Sequence, residues 1–306
     1  MNVFLSLFFN LLPLYGLIAL GWVAGRFLQV DRQSLGALAI YIFMPMTVFG
    51  FVVNQDFQAS HILLPFVVYF ISAVVGLGFL SLGKKVYGDS NANLMAMCVS
   101  QGNAGYFGLP LVMLFFTGEQ IAIYVFMMLG GAVYEATIGY YIAARGQFDV
   151  RTSLIKIVKF PAIYAIGFAL AVNASGQELP EIFWQYWAYF KGAYVVIGMM
   201  IVGAALSKVK TMVFGPRYIA LAFTGKFIVY PLLAYCFVLV DRYWLHFFTS
   251  DIHQLVMVFA IVPPAANIAA FAAQLNLQPE KAATTVLVGT VIALFYIPMM
   301  IWLIGL

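Results

Sequence analysis

A carboxylate at Glu135 and an ammonium at Lys226 stand alone within long apolar stretches of a 306-residue chain. Four amides, Gln101, Asn103, Asn267 and Gln274, lie in similar surroundings, near clusters of glycine or proline. An amide offers a ligand both a donor and an acceptor. A carboxylate can carry a proton, and a lysine can face an anion. An ionisable group inside an apolar span marks function by default. Glu135 follows ten residues before Arg145, and Lys226 nine after Arg217, which sets both about 13 to 15 Å from the same edge of the apolar layer. That shared depth allows a buried ion pair. It equally allows a proton-carrying Glu135 and a Lys226 that faces an anion. Lys191 sits beside Trp184, Trp187 and Tyr189. It reads first as an interfacial residue, with a place in an outer vestibule as the alternative.

The elements that must hold these residues are membrane spans. Hydrophobic residues make up 64% of the chain and charged residues 8%, where a water-soluble domain carries about a quarter charged. The chain is therefore expected to be an all-α integral membrane protein in contact with the lipid bilayer. Its first positive charge, Arg26, follows the first apolar run, so that run is expected to be a retained span and not a secretory signal. Cys98 and Cys236 lie inside apolar runs, and the three histidines form no ligand cluster. No catalytic residue and no metal site is expected. No basic cluster stands apart from the loops, so nucleic acid is not a partner. No phosphate-binding loop is present, so ATP is not the direct energy source. No cofactor is expected beyond a coupling ion, H⁺ or Na⁺.

About 20 residues cross the hydrocarbon. On that rule ten spans are expected, at 3–27, 34–53, 62–82, 92–116, 121–144, 160–174, 184–206, 217–240, 252–275 and 282–305. The odd-numbered connections hold twelve of the fifteen lysines and arginines, and the even-numbered ones hold Arg242 alone. The positive-inside rule then puts the odd connections in the cytoplasm and both termini outside the inner membrane. The longest basic connection, 145–159, separates a first unit at 1–144 from a second at 160–306. Five spans in each make the second insert upside down relative to the first. This is the inverted-repeat plan of many secondary transporters.

Two spans at matching rank are interrupted. The fourth reads QGNAGYFGLP over 101–110, and the ninth reads VPPAAN over 262–267. Pro263 and Pro264 donate no backbone hydrogen bond and clash with the preceding turn. Gly102, Gly105 and Gly108 loosen the other span. Unpaired backbone in lipid costs several kcal/mol per group, so such a break must be buried in protein or line a cavity. Gly/Pro-interrupted spans in corresponding places point to a transporter's binding site, with half-helix N-termini favouring an anion. The candidate substrate-binding residues are Gln101, Gly102, Asn103, Tyr106, Lys226, Pro263, Pro264 and Asn267. Glu135 and Gln274 are the candidates for ion or proton coupling. Ser100, Phe107 and Tyr134 are further candidates for a cavity wall.

The stretches GNAGYFGLPL at 102–111 and PPAANIAAFAAQLN at 263–276 resemble the auxin efflux carrier family, bacterial permeases related to the plant carriers. Weaker likeness runs through GWVAGRF at 21–27, YIFMPMTVFG at 41–50 and KFIVYP at 226–231. The resemblance implies ten spans as five plus five, with the fourth and ninth crossing at the midplane. It also implies a scaffold part and a transport part that move against each other, a small organic anion as substrate, and room for a homodimer. Plant members have a proline where this chain reads Gly102-Asn103-Ala104-Gly105, and the long cytoplasmic loop of many of them is absent here. A secondary transporter leads. A sodium-coupled symporter, a channel and a non-transporting sensor stay open as alternatives.

Overall fold

The computed structural model describes residues 3–54, 59–144, 151, 155, 158–207, 213, 215–274 and 277–304. The described residues are helical apart from turns and one isolated two-residue pairing. Among the described residues, seven helices are long and apolar enough to cross a membrane. They are α1 (Val3–Phe27), α2 (Gln33–Val52), α3 (Ser60–Val86), α6 (Gly118–Ala143), α8 (Glu181–Leu206), α9 (Pro216–Leu245) and α12 (Pro279–Ile304). The others are shorter. The fourth expected span is α4 (Ser90–Ser100) and α5 (Ala104–Phe115), and the ninth is α10 (Ser250–Ile261) and α11 (Ile268–Gln274). The sixth is α7 (Pro161–Ala174). The chain is a multi-pass membrane protein. Most of the connection at 145–159 lies outside the described residues.

Large apolar side chains cover the outside, among them Phe66, Phe70, Leu232 and Trp302. With lipid as solvent, burial of such groups cannot drive helix association, so close backbone approach must. Glycines permit it where α1 meets α8. A Cβ on Gly203 would lie 1.9 Å from the Ile18 carbonyl, and one on Gly21 2.1 Å from that of Met200. α2 packs on α7 and α8, α3 on α4 and α6, and α9 on α10.

Among the described residues, five π-helical turns interrupt the helices, at Ala39–Phe43, Ala104–Gly108, Glu135–Gly139, Gly225–Val229 and Asp241–Leu245. Such turns recur at functional sites. Two of them hold Glu135 and Lys226. A third turns the corner from α9 to α10. There the fully buried Asp241 carboxylate accepts the Phe247 and Phe248 N–H groups at 3.1 Å and lies 2.8 Å from His253 Nε2. His246 adopts the left-handed conformation between them, at φ 57°.

Candidate functional site

The two breaks pair with each other. After α4 the chain is extended at Gln101, and after α10 it is extended at Val262. Asn103 N–H donates to the Pro263 carbonyl at 2.8 Å, and Ala265 N–H to the Gln101 carbonyl at 2.9 Å. Gly102 and Pro264 thus face each other in one antiparallel bridge. Asn103, at φ −77° and ψ 58°, makes an inverse γ-turn in which Ala104 N–H returns to the Gly102 carbonyl at 2.9 Å. The unwound segments therefore pair part of their backbone with each other, as their place among apolar helices favours. The prolines fit because each offers only a carbonyl here.

A cavity of about 820 Å³ lies against this crossing. Gln101, Gly102, Asn103, Tyr106, Glu135 and Asn267 line it. Ser100 and Tyr134 join them, with the Tyr134 hydroxyl donating to Ser100 Oγ at 2.7 Å. The cavity extends past Ile40 and Tyr41 to Asp31 and Phe160, the end that carries the basic connections. Pro263 and Pro264 lie behind the wall, where Pro264 packs on Gly289 of α12. Phe107 also leaves the wall and is core, edge-on to Tyr15. Gln274 ends α11, and its side chain is outside the described residues.

Polar groups here are incompletely matched. Asn267 Nδ2 donates to Glu135 Oε1 at 2.8 Å. Asn267 Oδ1, Gln101 Oε1 and Asn103 Nδ2 are buried with no hydrogen-bond partner among the described residues. Leaving such groups unpaired costs about 1–3 kcal/mol each. Their concentration on one cavity wall is therefore a cost that a ligand can relieve. α5 begins on the same wall, and its N-terminal end brings partial positive charge to the cavity.

Lys226 is not paired with Glu135. Its Nζ is buried, has no hydrogen-bond partner among the described residues, and lies 4.4 Å from the centre of the Tyr230 ring. It sits behind the crossing and outside the cavity wall. A Cβ on Gly102 would lie 3.1 Å from Nζ and 2.7 Å from Val262 Cγ2. Glycine at 102 therefore lets the ammonium reach the back of the crossing. The described residues that line the cavity include carboxylates at Asp31 and Glu135 and no lysine or arginine.

Sequence reasoning missed Ser72, Asp31 and Tyr194 on the cavity wall, and the Asp241 corner. Ser72 and Tyr194 carry no signal that separates them from packing residues. Asp241 does carry one, a carboxylate closing an apolar run with histidines five and twelve residues on.

Broken helices crossing beside a cavity with polar groups on one wall, in a multi-pass membrane protein, fit a membrane transporter. The family model described as "Membrane transport protein" matches residues 6–301, and the chain belongs to that family. This is the group to which the motifs at 102–111 and 263–276 pointed. An uncharacterized transporter of Methanocaldococcus jannaschii is 27% identical over 223 residues, covering 70% of this chain and 72% of the relative. A protein of Rhizobium meliloti, provisionally named a malonate transporter, is 22% identical over 96% of this chain and 94% of its own length. The family and both relatives are membrane transporters, not enzymes.

Proposed function

We propose that this chain is a secondary transporter that moves a small organic carboxylate across the membrane by alternating access at the crossing. The carrying observation is the set of buried amide atoms Gln101 Oε1, Asn103 Nδ2 and Asn267 Oδ1, which have no hydrogen-bond partner among the described residues, along one cavity wall at the paired breaks. Asn103 Nδ2 and the N-terminal end of α5 receive the carboxylate. Lys226 adds positive potential from behind Gly102 without touching the substrate. The likeness to the R. meliloti protein puts malonate first among the carboxylates to try.

This reading takes the chain as ten crossings in two inverted sets of five. α1, α2, α3, α4–α5 and α6 correspond to α7, α8, α9, α10–α11 and α12. Contacts follow the same correspondence, since α1 on α8 is matched by α7 on α2, and α3 on α4 by α9 on α10. With the basic connections inside, both termini are outside and the cavity faces the cytoplasm.

Glu135 couples transport to protons. An anion entering beside a charged Glu135 meets repulsion of about 4 kcal/mol at 4 Å in a partly wet site. Among the described residues the cavity wall carries no lysine or arginine to touch the anion, and Lys226 acts only from behind Gly102. A proton on Glu135 removes the repulsion and travels with the anion. Sodium coupling is the second reading, favoured by the unpartnered oxygens of Gln101 and Asn267, which suit a hard cation.

The test is uptake of labelled malonate, malate, oxalate and indole acetate into proteoliposomes, with and without proton and sodium gradients. Saturable uptake of one carboxylate driven by an inward proton gradient is expected. Drive by sodium alone would favour the second reading. Binding without flux would indicate a sensor, and flux that never saturates a channel.

A further inference from the structure

A second cavity, about 720 Å³, opens at the other end of the molecule. Its wall includes Asn54 after α2, Phe116 before α6, and Trp184, Trp187, Lys191 and Val195 on α8. The aromatic residues of α8 divide by face. Tyr186 and Tyr189 are 60% and 72% exposed and look outward. Trp184 and Trp187 are half-buried, and the Trp187 ring meets Phe51 at 4.9 Å. A Cβ on Gly50 would lie 2.1 Å from Trp187 Nε1, so the indole is seated directly on the α2 backbone. Lys191 belongs to this inner face, with Nζ 4.9 Å from the Trp187 ring centre. No carboxylate among the described residues pairs with it. That placement differs from a lysine reaching along lipid to the interface.

One stripe of α8 joins the two cavities. Trp184, Trp187 and Lys191 line the outer one, and Tyr194 and Ile201 line the central one. The intervals of three, four and seven residues keep all five on one helical face. Between the cavities, Tyr194 is 1% exposed and its hydroxyl donates to the Gly105 carbonyl at 3.1 Å. α2 and the fourth span repeat the pattern. Met44 and Gly105 line the central cavity, while Gly50 and Met113 line the outer one.

We propose that the outer cavity is a carboxylate-binding site, the outer half of a single path, in which Lys191 is the counter-charge and the Tyr194–Gly105 hydrogen bond is the closed barrier. The carboxylate class rests on the transport reading above. The ammonium over an indole offers one charge-assisted bond to an anion and a flat apolar surface to its carbon skeleton.

The test is a tryptophan-emission titration of the full chain in nanodiscs of neutral phosphatidylcholine, using malonate, malate, oxalate and indole acetate. A saturable response to one carboxylate is expected in the wild type and in Asn103→Ala. In Lys191→Met the midpoint should rise about tenfold, the loss of one hydrogen bond to a charged group. Lys191→Arg should restore it. In membrane vesicles of defined sidedness, Lys191→Met should raise KM for substrate offered outside and leave the inside KM unchanged. No response to any carboxylate, or the same midpoint in Lys191→Met, overturns the proposal. A Lys191-dependent response to phosphatidylglycerol alone also overturns it, because the site would then hold a lipid headgroup. The titration needs no flux, so failure of the transport reading leaves a distinct result.

Discussion

At the scale of single residues, the crossing is held by groups whose removal has separable effects. Asn103 and Asn267 share the cavity, but Asn267 already gives one N–H to Glu135. Asn103→Ala removes an unpartnered donor and should raise KM for the carboxylate about 10- to 100-fold, equivalent to about 1.5–3 kcal/mol for a bond to a charged group. Uptake kinetics in proteoliposomes check this, and an unchanged KM would mean that the amide is structural. Glu135→Gln should change pH dependence instead. In the wild type, carboxylate uptake should fall as pH rises, because the proton proposed to accompany the anion becomes scarce. The glutamine keeps a carbonyl for the Asn267 donor and has no proton to lose, so its uptake should be flat across pH 5 to 8. A wild-type slope retained in Glu135→Gln would remove the carboxylate from coupling. Spacing in the sequence placed Glu135 and Lys226 at equal depth, because rise per residue fixes distance along a helix. It could not say which helices adjoin. Glu135 therefore found its partner on the ninth span, and Lys226 came to lie behind Gly102.

At the scale of elements, the breaks were legible and their pairing was not. Gly102 and the Pro263–Pro264 pair announce that helix stops, since each removes or weakens a turn. What replaces the lost bonds depends on the other segment, 160 to 164 residues away in the chain, and no local pattern encodes it. The π-helical turns around Glu135 and Lys226 were equally hidden, because one extra residue in a turn does not disturb an apolar run. The glycine at 102 gives this element a direct test. In Gly102→Ala the new methyl meets the stiff Val262 side chain and displaces the Lys226 ammonium. Carboxylate affinity should fall, and the Gly102–Pro264 pairing should be strained. Lys226→Met alone should weaken affinity and leave the pairing intact. If Gly102→Ala binds as the wild type does, the approach of Lys226 to the crossing has no role. The Asp241 corner is the opposite kind of element, built for stability. Asp241→Ala strands two backbone N–H groups and a histidine, and should cost about 3 kcal/mol. A lower Tm in detergent, with unchanged KM in the surviving protein, is the expected result.

At the scale of the whole molecule, two cavities lie on one helical stripe with one tyrosine between them, and on the proposed function this is a carrier held in a single state. The central cavity is open at the end with the basic connections and closed at the other. The proposed repeats of opposite orientation would give a natural way to reach the converse state, in which each half adopts the arrangement now held by the other. The composition signalled a membrane protein at once, and the charge sorting gave an orientation. Neither could give the state, because hydropathy carries no information about which face of a helix is wet. Orientation and state can be read together by labelling with a membrane-impermeant maleimide, in a Cys98→Ala, Cys236→Ala background. Gln33→Cys at the mouth of the central cavity should label only from the cytoplasm, and Asn54→Cys at the outer cavity only from outside. Saturating carboxylate should slow labelling at Gln33→Cys as the population shifts away from the inward-open state. Labelling with the two sides exchanged would invert the topology and carry both termini to the cytoplasm. Labelling of both positions from one side would break the pairing of the two cavities as opposite ends of one path.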